Sequence, residues 1–275
     1  MKDTDAFEKM ERDGWSDPSI AKGYADSFSL ATGMVARHLA DAVQAGPGVQ
    51  VLDLCSGHGV VAVELLRRGA TVTGLDFSPA MVALARQAAP EATFLQGDAL
   101  NLTFPDNSFD AVTIGFGVPH FPQPERGLEE AFRILRPGGR LAFSIWFGKG
   151  SNGAFDWLFE AVERLGDPSV TLPQGPDAHL LANGDIARSM LAEANFVDVR
   201  TSEISSQLLV PVPEALFDTF DRGAVRAASL LGHQTQERRN AIRTALADRV
   251  RSEGVKVDRG FLVPAPSVIH SAICC

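Results

Sequence analysis

Apolar and polar positions along the first 150 residues switch between two periods. Short apolar runs recur: VQVLDL (49–54), TVTGLDF (71–77), ATFLQGD (92–98), FDAVTIGF (109–116) and GRLAFSIWF (139–147). Their length and β-branched content predict buried strands. The stretches between them follow a helical period. Ser78-Pro79 supplies an N-cap and a first-turn proline, and Met81, Leu84, Ala85 and Ala88 share one face behind it. Leu128, Ala131, Phe132 and Leu135 line a second helix, which Pro137-Gly138-Gly139 ends. Strand and helix in alternation predict a parallel sheet with helices on both faces, a doubly wound α/β domain.

Two regions depart from this pattern. Residues 14–45 read as two short helices, with Ile20 and Tyr24 one turn apart and Val35 and Leu39 likewise. They make residues 1–45 a helical cap placed to fold over the sheet's ligand-binding edge, ahead of a main domain over 46–275. After the fifth strand come helices near 154–165 and 185–194, a strand FVDVRTSEI (196–204), two helical stretches within 213–252 and a closing strand FLVPAPSVIHSAI. A connection of roughly 50 residues between the last two strands is too long for a plain loop. It predicts a helical lid insertion at about 211–255. Leu216, Phe217 and Phe220 sit there at helical spacing, as core or as an apolar substrate wall.

Composition narrows the function. An apolar content of 45% and a charged content of 21% are those of a globular domain with a substantial core. No apolar run approaches the roughly 18 residues of a membrane span, and the charged N-terminus lacks a signal core, so a cytoplasmic protein is expected. A net charge of −9 argues against nucleic acid as a partner. Arg238, Arg239, Arg243, Arg249 and Arg251 cluster late in the chain and read as a solvated helix face. The three cysteines form no disulfide framework or zinc spacing, and the six histidines no ligand pattern, so no metal is expected.

The chemistry concentrates at VLDLCSGHG, Val51 to Gly59: a buried strand, an acid, a loop with two glycines and a helix start. In an open α/β sheet, ligands bind at the carboxyl ends of the strands, and such a loop brings backbone N–H groups close to them. Gly57-His58-Gly59-Val60-Val61-Ala62 fits the dinucleotide fingerprint, with Asp76 at the end of the second strand, so an NAD(P)-dependent oxidoreductase is a competitor. Three features favour a sulfonium cofactor instead. Asp53, just before the loop, would repel a pyrophosphate but attract an ammonium group. Gly97-Asp98-Ala99 closes the third strand, where a carboxylate can accept from an adenine amino group. The series also ends in PGGRLAFSIW and, much later, a proline-flanked strand.

VLDLCSGHG, GLDFSPAMV, GDAL, DNSFDAVTIGFG and LRPGGRLAFSIW together resemble, in order and spacing, the motifs of the class I S-adenosylmethionine-dependent methyltransferases. Cys55 stands where that family usually has another glycine. The resemblance implies a Rossmann-like, seven-stranded, mostly parallel sheet whose last strand is antiparallel. It also implies roles. Asp53 orients the loop and the methionine end of the cofactor, and Gly57 and Gly59 allow backbone approach. Asp76 accepts from both ribose hydroxyls, and Phe77 and Met81 line the adenine region. Asp98 and Ala99 hold the adenine edge, and Gly115 and Phe116 lie beside the methionyl chain. Tyr24, with Trp15, is placed to close over the cofactor or to pack in the core.

DNSFDAVTIGFG also resembles the quinone-biosynthesis C-methyltransferases, which continue with Arg-Asn where this chain has Val118-Pro119-His120. The expected activity is methyl transfer to O, N or C of a small, partly apolar acceptor, releasing S-adenosylhomocysteine. His120 is the candidate base, because imidazole titrates near neutrality and the residue follows the fourth strand; a loop-shaping role is the alternative. A cofactor-binding accessory protein on the same fold is the reading from another class. A homodimer is compatible with the sequence.

Overall fold

The computed structural model describes residues 3–275. Helices α1 (Asp3–Ser16) and α2 (Pro18–Ala42) come first. The alternating region follows as β1 (Gln50–Leu54), α3 (Val60–Arg67), β2 (Thr71–Asp76), α4 (Pro79–Ala88), β3 (Thr93–Gln96), β4 (Phe109–Gly115), α5 (Pro124–Ile134) and β5 (Leu135–Trp146). Then come α6 (Ala154–Leu165), α7 (Gly184–Glu193), β6 (Phe196–Ile204) and β7 (Gln207–Val210). The chain closes with α8 (Ala215–Gly223), α9 (Val225–Gly232), α10 (Gln236–Glu253), β8 (Val255–Val257), β9 (Gly260–Pro264) and β10 (Ser267–Cys274).

These elements form two compact units. The larger comprises Thr32–Trp146, Pro176–Ile204 and Ser267–Cys275. It holds a seven-stranded sheet of order β3-β2-β1-β4-β5-β10-β6, with β10 antiparallel to both neighbours. This is the doubly wound architecture expected, including its antiparallel last strand. Sequence order reverses between β1 and β4. Right-handed crossovers place α3 and α4 on one face and α5 on the other. The central strands are apolar on both faces: Val51, Leu52 and Leu54 of β1 and Ala111, Val112 and Ile114 of β4 are buried. Ser78 caps α4 by accepting from the Met81 N–H at 3.1 Å. Glu130 on α5, 3% exposed, anchors the segment before β4. It accepts from the Leu102 N–H and from Arg133, whose guanidinium also reaches Asp106 and the Leu102 and Phe104 carbonyls.

His270, fully buried on β10, is a satisfied core histidine. Its ring nitrogens meet Thr201 Oγ1 at 3.0 Å and the Leu181 carbonyl at 2.8 Å. Burial lowers its pKa, which keeps the ring neutral.

The other unit comprises the chain through Ala31, Phe147–Gly175 and Ser205–Pro266. α8, α9 and α10 pack with α6 around Leu216, Phe217, Phe220, Ile242, Leu246 and Val250, all buried. The basic stretch of α10 is half-buried and ion-paired to neighbouring helices rather than a solvated face. Arg243 forks onto Asp218 at 2.9 and 3.0 Å, Arg239 meets Asp221 at 2.9 Å, and Arg238 donates to the Leu165 and Gly166 carbonyls ending α6.

Three further local expectations are corrected. Residues 18–42 form one helix rather than two short ones, because nothing in SIAKGYADSFSLATGMVARHLADA interrupts it: its glycines, Gly23 and Gly33, are tolerated inside a helix. The stretch within 213–252 makes three helices rather than two, and the segments flanking the expected insertion, β7 before it and β8 and β9 after it, form a small antiparallel sheet. The closing run therefore splits in two. Pro264 and Pro266 cannot donate to a ladder, so β9 ends at Pro264, and β10 starts in the large sheet at Ser267. Met1 and Lys2, the start of the expected cap, lie outside the described residues.

Candidate functional site

The loop after β1 turns through three left-handed residues, Cys55 (φ 56°), Gly57 (φ 52°) and Gly59 (φ 87°). The Ser56 N–H on the Leu75 carbonyl (3.0 Å) and the Gly59 N–H on the Ser56 carbonyl (2.9 Å) hold it. Its two glycines do different work. A Cβ on Gly57 would meet nothing closer than the Cys55 carbonyl at 4.0 Å, so that side of the loop is open to a ligand. A Cβ on Gly59 would lie 3.0 Å from the Ala85 backbone, so this glycine lets the start of α3 pack on α4.

Cys55 pays no steric penalty toward β4 because its neighbour there is a glycine. A Cβ on Gly117 would sit 2.5 Å from Cys55 Cβ and 2.9 Å from its Sγ. Burial and the nearby Asp76, Asp53 and Asp98 push the Cys55 thiol well above its ordinary pKa, which keeps it protonated and unreactive.

Asp53 lies on β1, fully buried, in register with Thr113 of β4. Thr113 Oγ1 donates to Oδ1 at 2.9 Å, whereas Oδ2 is buried with no hydrogen-bond partner among the described residues. Burial pushes this carboxyl up to about 7; Thr113 opposes the shift and the charge of Asp76 adds to it. Asp76, 6% exposed at the end of β2, accepts the Gly57 N–H on Oδ2 and the Ser78 N–H on Oδ1, each at 2.9 Å. It therefore clamps the glycine loop to the start of α4, with one lone pair left on each oxygen. Burial raises its pKa, against the pull of both amides and of His120.

The remaining predicted residues fall around these two acids. Phe77 is half-buried, and its carbonyl accepts from Gln96 at 3.1 Å. Met81 is buried in the first turn of α4. Asp98 is exposed and closes its own turn by accepting the Leu100 N–H at 2.9 Å; Ala99 beside it is buried. Gly115 ends β4, where a Cβ would press on Val61 at 3.0 Å. Phe116 has a φ of 59°, which strains a bulky residue. Its N–H donates to Ser144 Oγ at 3.1 Å, and its ring stacks on Trp146 with centroids 3.7 Å apart and planes 7° apart.

His120 ends a 3₁₀ turn, Val118–His120, half-buried and within electrostatic reach of Asp76. Tyr24 belongs to the other unit. There it stacks on Phe28 at 4.8 Å and meets Trp15 edge-on at 5.3 Å, in a cluster that Phe155 and Phe220 complete. Burial raises its phenol's pKa.

The structure thus brings Asp53, Gly57, Asp76 and His120 together at the strand ends where the sheet order reverses, the position that collects ligands in such sheets. Sequence reasoning missed Thr113, Ser144 and Trp146. The first two carry a signal, each being a polar residue within an apolar strand, but which acid or amide it serves depends on strand order. Among the described residues, no group of His, Cys, Asp and Glu could hold a metal, and no helix is long and apolar enough to cross a membrane.

Comparison with known proteins agrees with this geometry. Residues 52–143 match the family described as "Methyltransferase domain". The chain is 36% identical over 200 residues to the demethylmenaquinone methyltransferase of Renibacterium salmoninarum, covering 70% of this chain and 82% of that protein. It is 41% identical over 189 residues to the demethylmenaquinone methyltransferase of Paenarthrobacter aurescens, covering 63% and 72%. A Haemonchus contortus phosphoethanolamine N-methyltransferase 2, solved with phosphomonomethylethanolamine and S-adenosylhomocysteine, shares the fold. Its TM-score is 0.58 at 17% identity, over 97% of this chain and 60% of that one. The chain belongs to the class I S-adenosylmethionine-dependent methyltransferases, as a small-molecule enzyme related to the quinone C-methyltransferases.

Proposed function

We propose that this methyltransferase holds S-adenosylmethionine at the carboxyl ends of β1, β2 and β4 and methylates a small, partly apolar acceptor. The observation that carries this is Asp53, a fully buried carboxylate with one oxygen unpaired, beneath a loop whose Gly57 faces open space. A buried acid with an orphaned oxygen is costly unless a cation completes it. A pyrophosphate would worsen that cost; an ammonium group removes it. The donor set therefore fits S-adenosylmethionine and not a dinucleotide.

Asp53 receives the ammonium group and Asp76 the ribose hydroxyls, with its two free lone pairs. Phe77, Met81, Asp98 and Ala99 border the adenine, and Gly115 and Phe116 border the methionyl chain. When bound, the cofactor supplies a methyl group already activated as a sulfonium. What remains for the protein is alignment, exclusion of water and, for a hydroxyl acceptor, removal of a proton. His120 takes that proton. The named acceptor of the relatives, demethylmenaquinone, makes a quinone-like ring a first candidate to assay. Val118-Pro119-His120 in place of Arg-Asn points to a different acceptor grip within that class.

Calorimetry should show binding of S-adenosylmethionine and S-adenosylhomocysteine and none of NADH. His120→Gln should then lower turnover by about 10²–10⁴ while leaving cofactor affinity within a few-fold. Near-normal turnover of folded His120→Gln at saturating acceptor removes the base assignment. Heat with NADH but not with S-adenosylhomocysteine removes the cofactor assignment.

A further inference from the structure

The large sheet carries a polar cavity away from the strand ends that hold the glycine loop. Strand alternation puts Arg140 of β5, Ser271 of β10, and Arg200 and Ser202 of β6 on one face, opposite the face from which His270 reaches Leu181. His38 and Asp41 at the end of α2, and Gln44 just beyond it, border this face, and together these residues line an open cavity of about 330 Å³.

Its charge is unbalanced. Most arginines of the chain are committed: Arg67, Arg68, Arg126, Arg133, Arg136, Arg239 and Arg243 all pair with carboxylates. Arg140 and Arg200 have neither an ion-pair nor a hydrogen-bond partner among the described residues, although both line the same cavity. Of the two acids there, Asp41 is engaged by Arg68 at 2.5 Å. Asp198 alone offsets the two guanidiniums, and His38 adds a further polar group. A net positive pocket in a chain of net charge −9 is not a consequence of composition.

Geometry suits one oxyanion group. Register places Ser271 opposite Arg200, and Ile273 opposite Arg140. The two arginines therefore stand on strands about 10 Å apart, two residues offset, within reach of a shared ligand. Two planar forks with several N–H donors, plus the hydroxyls of Ser202 and Ser271, match a tetrahedral group better than a lone carboxylate. We propose that this cavity binds a small phosphate-bearing molecule, gripped between Arg140 and Arg200, at a site separate from the methyl-transfer centre.

The test is a titration of the full chain with inorganic phosphate at constant ionic strength, following the arginine side-chain N–H signals by NMR. Saturable shifts of the Arg140 and Arg200 signals, and of the backbone N–H signals of Ser202 and Ser271 in the same cavity, are expected; read from those two serines, phosphate binding should be at least tenfold weaker in Arg200→Gln and lost in Arg140→Gln/Arg200→Gln. Acetate should bind more weakly than phosphate. Binding of S-adenosylhomocysteine to the double variant should stay normal, which separates this site from the cofactor site. Non-saturating shifts, or equal phosphate binding by the double variant, would overturn the proposal. So would arginine-dependent co-sedimentation with anionic phospholipid vesicles without saturable phosphate binding, since that marks a membrane-facing surface. Arg200 is exposed, so its single variant is not expected to disturb folding.

Discussion

The proposed pairing of Asp53 with the ammonium group of S-adenosylmethionine predicts that cofactor binding is linked to a proton. Its carboxyl is raised to about 7 because it is buried, and the hydrogen bonds from Thr113 and the Ala62 backbone only partly oppose the shift. Its folded pKa lies above its unfolded value of 3.8, so the folded state holds the extra proton and loses stability as pH rises from about 4 through 7. A bound ammonium group needs the ionised form. The ionised fraction is about one half at pH 7 and roughly 3% at pH 5.5, so affinity should fall roughly fifteenfold over that interval. The ligand's own amine, with a pKa of about 7.7–8.0, stays cationic throughout. Calorimetry with S-adenosylhomocysteine at about pH 6.5, in two buffers of different ionisation enthalpy, should show release of about three quarters of a proton. Asp53→Asn should abolish both the release and the pH slope, weaken binding by about tenfold or more, and raise the melting temperature of the free protein at alkaline pH. Any slope that survives in this variant belongs to Asp76, whose carboxyl burial also raises. Wild-type affinity that is flat from pH 5.5 to 7, with no buffer dependence, refutes the reasoning.

Asp76→Ala removes the proposed ribose acceptor together with the clamp from Gly57 to Ser78. It should weaken S-adenosylmethionine by roughly tenfold or more and speed amide exchange of the 55–59 loop; unchanged affinity in a folded variant takes Asp76 out of the site. Gly117→Ala drives a methyl onto Cys55, and denaturant melts should show a loss of about 1–3 kcal/mol. Adding Cys55→Gly should recover part of it, and strict additivity would deny the contact. Arg133→Ala strips Glu130 of its main partner and should cost about 3 kcal/mol. Arg133 lowers the Glu130 pKa, so this stability is present above the ordinary carboxylate range and is lost as pH falls; the wild-type and variant melts should converge in acid.

Much of the local geometry of the candidate site was legible because it is set by short-range events. A strand ending in an acid, a turn that needs left-handed residues and a capped helix are short-range events, written in VLDLCSGHG and DFSPAM and found at Asp53, Gly57, Asp76 and Ser78. The periodic runs likewise determined the strands and helices of the doubly wound sheet, since burial on two faces demands continuous apolar residues. What the tertiary structure decided is what depends on neighbours far apart in the chain. Thr113 meets Asp53 only because β4 lies beside β1, 60 residues away in sequence. The same adjacency sets the space under Gly117 that lets Cys55 replace a glycine. Tyr24 stacks among Phe28 and Trp15 for the same reason: an aromatic at helical spacing reads identically whether it faces a ligand or a core. Arg140 and Arg200 are ordinary strand residues in the sequence, and only the order β5-β10-β6 brings them to one cavity. Local propensity and pattern are properties of a segment; partners, burial and the resulting pKa shifts belong to the packing, and no single segment contains them.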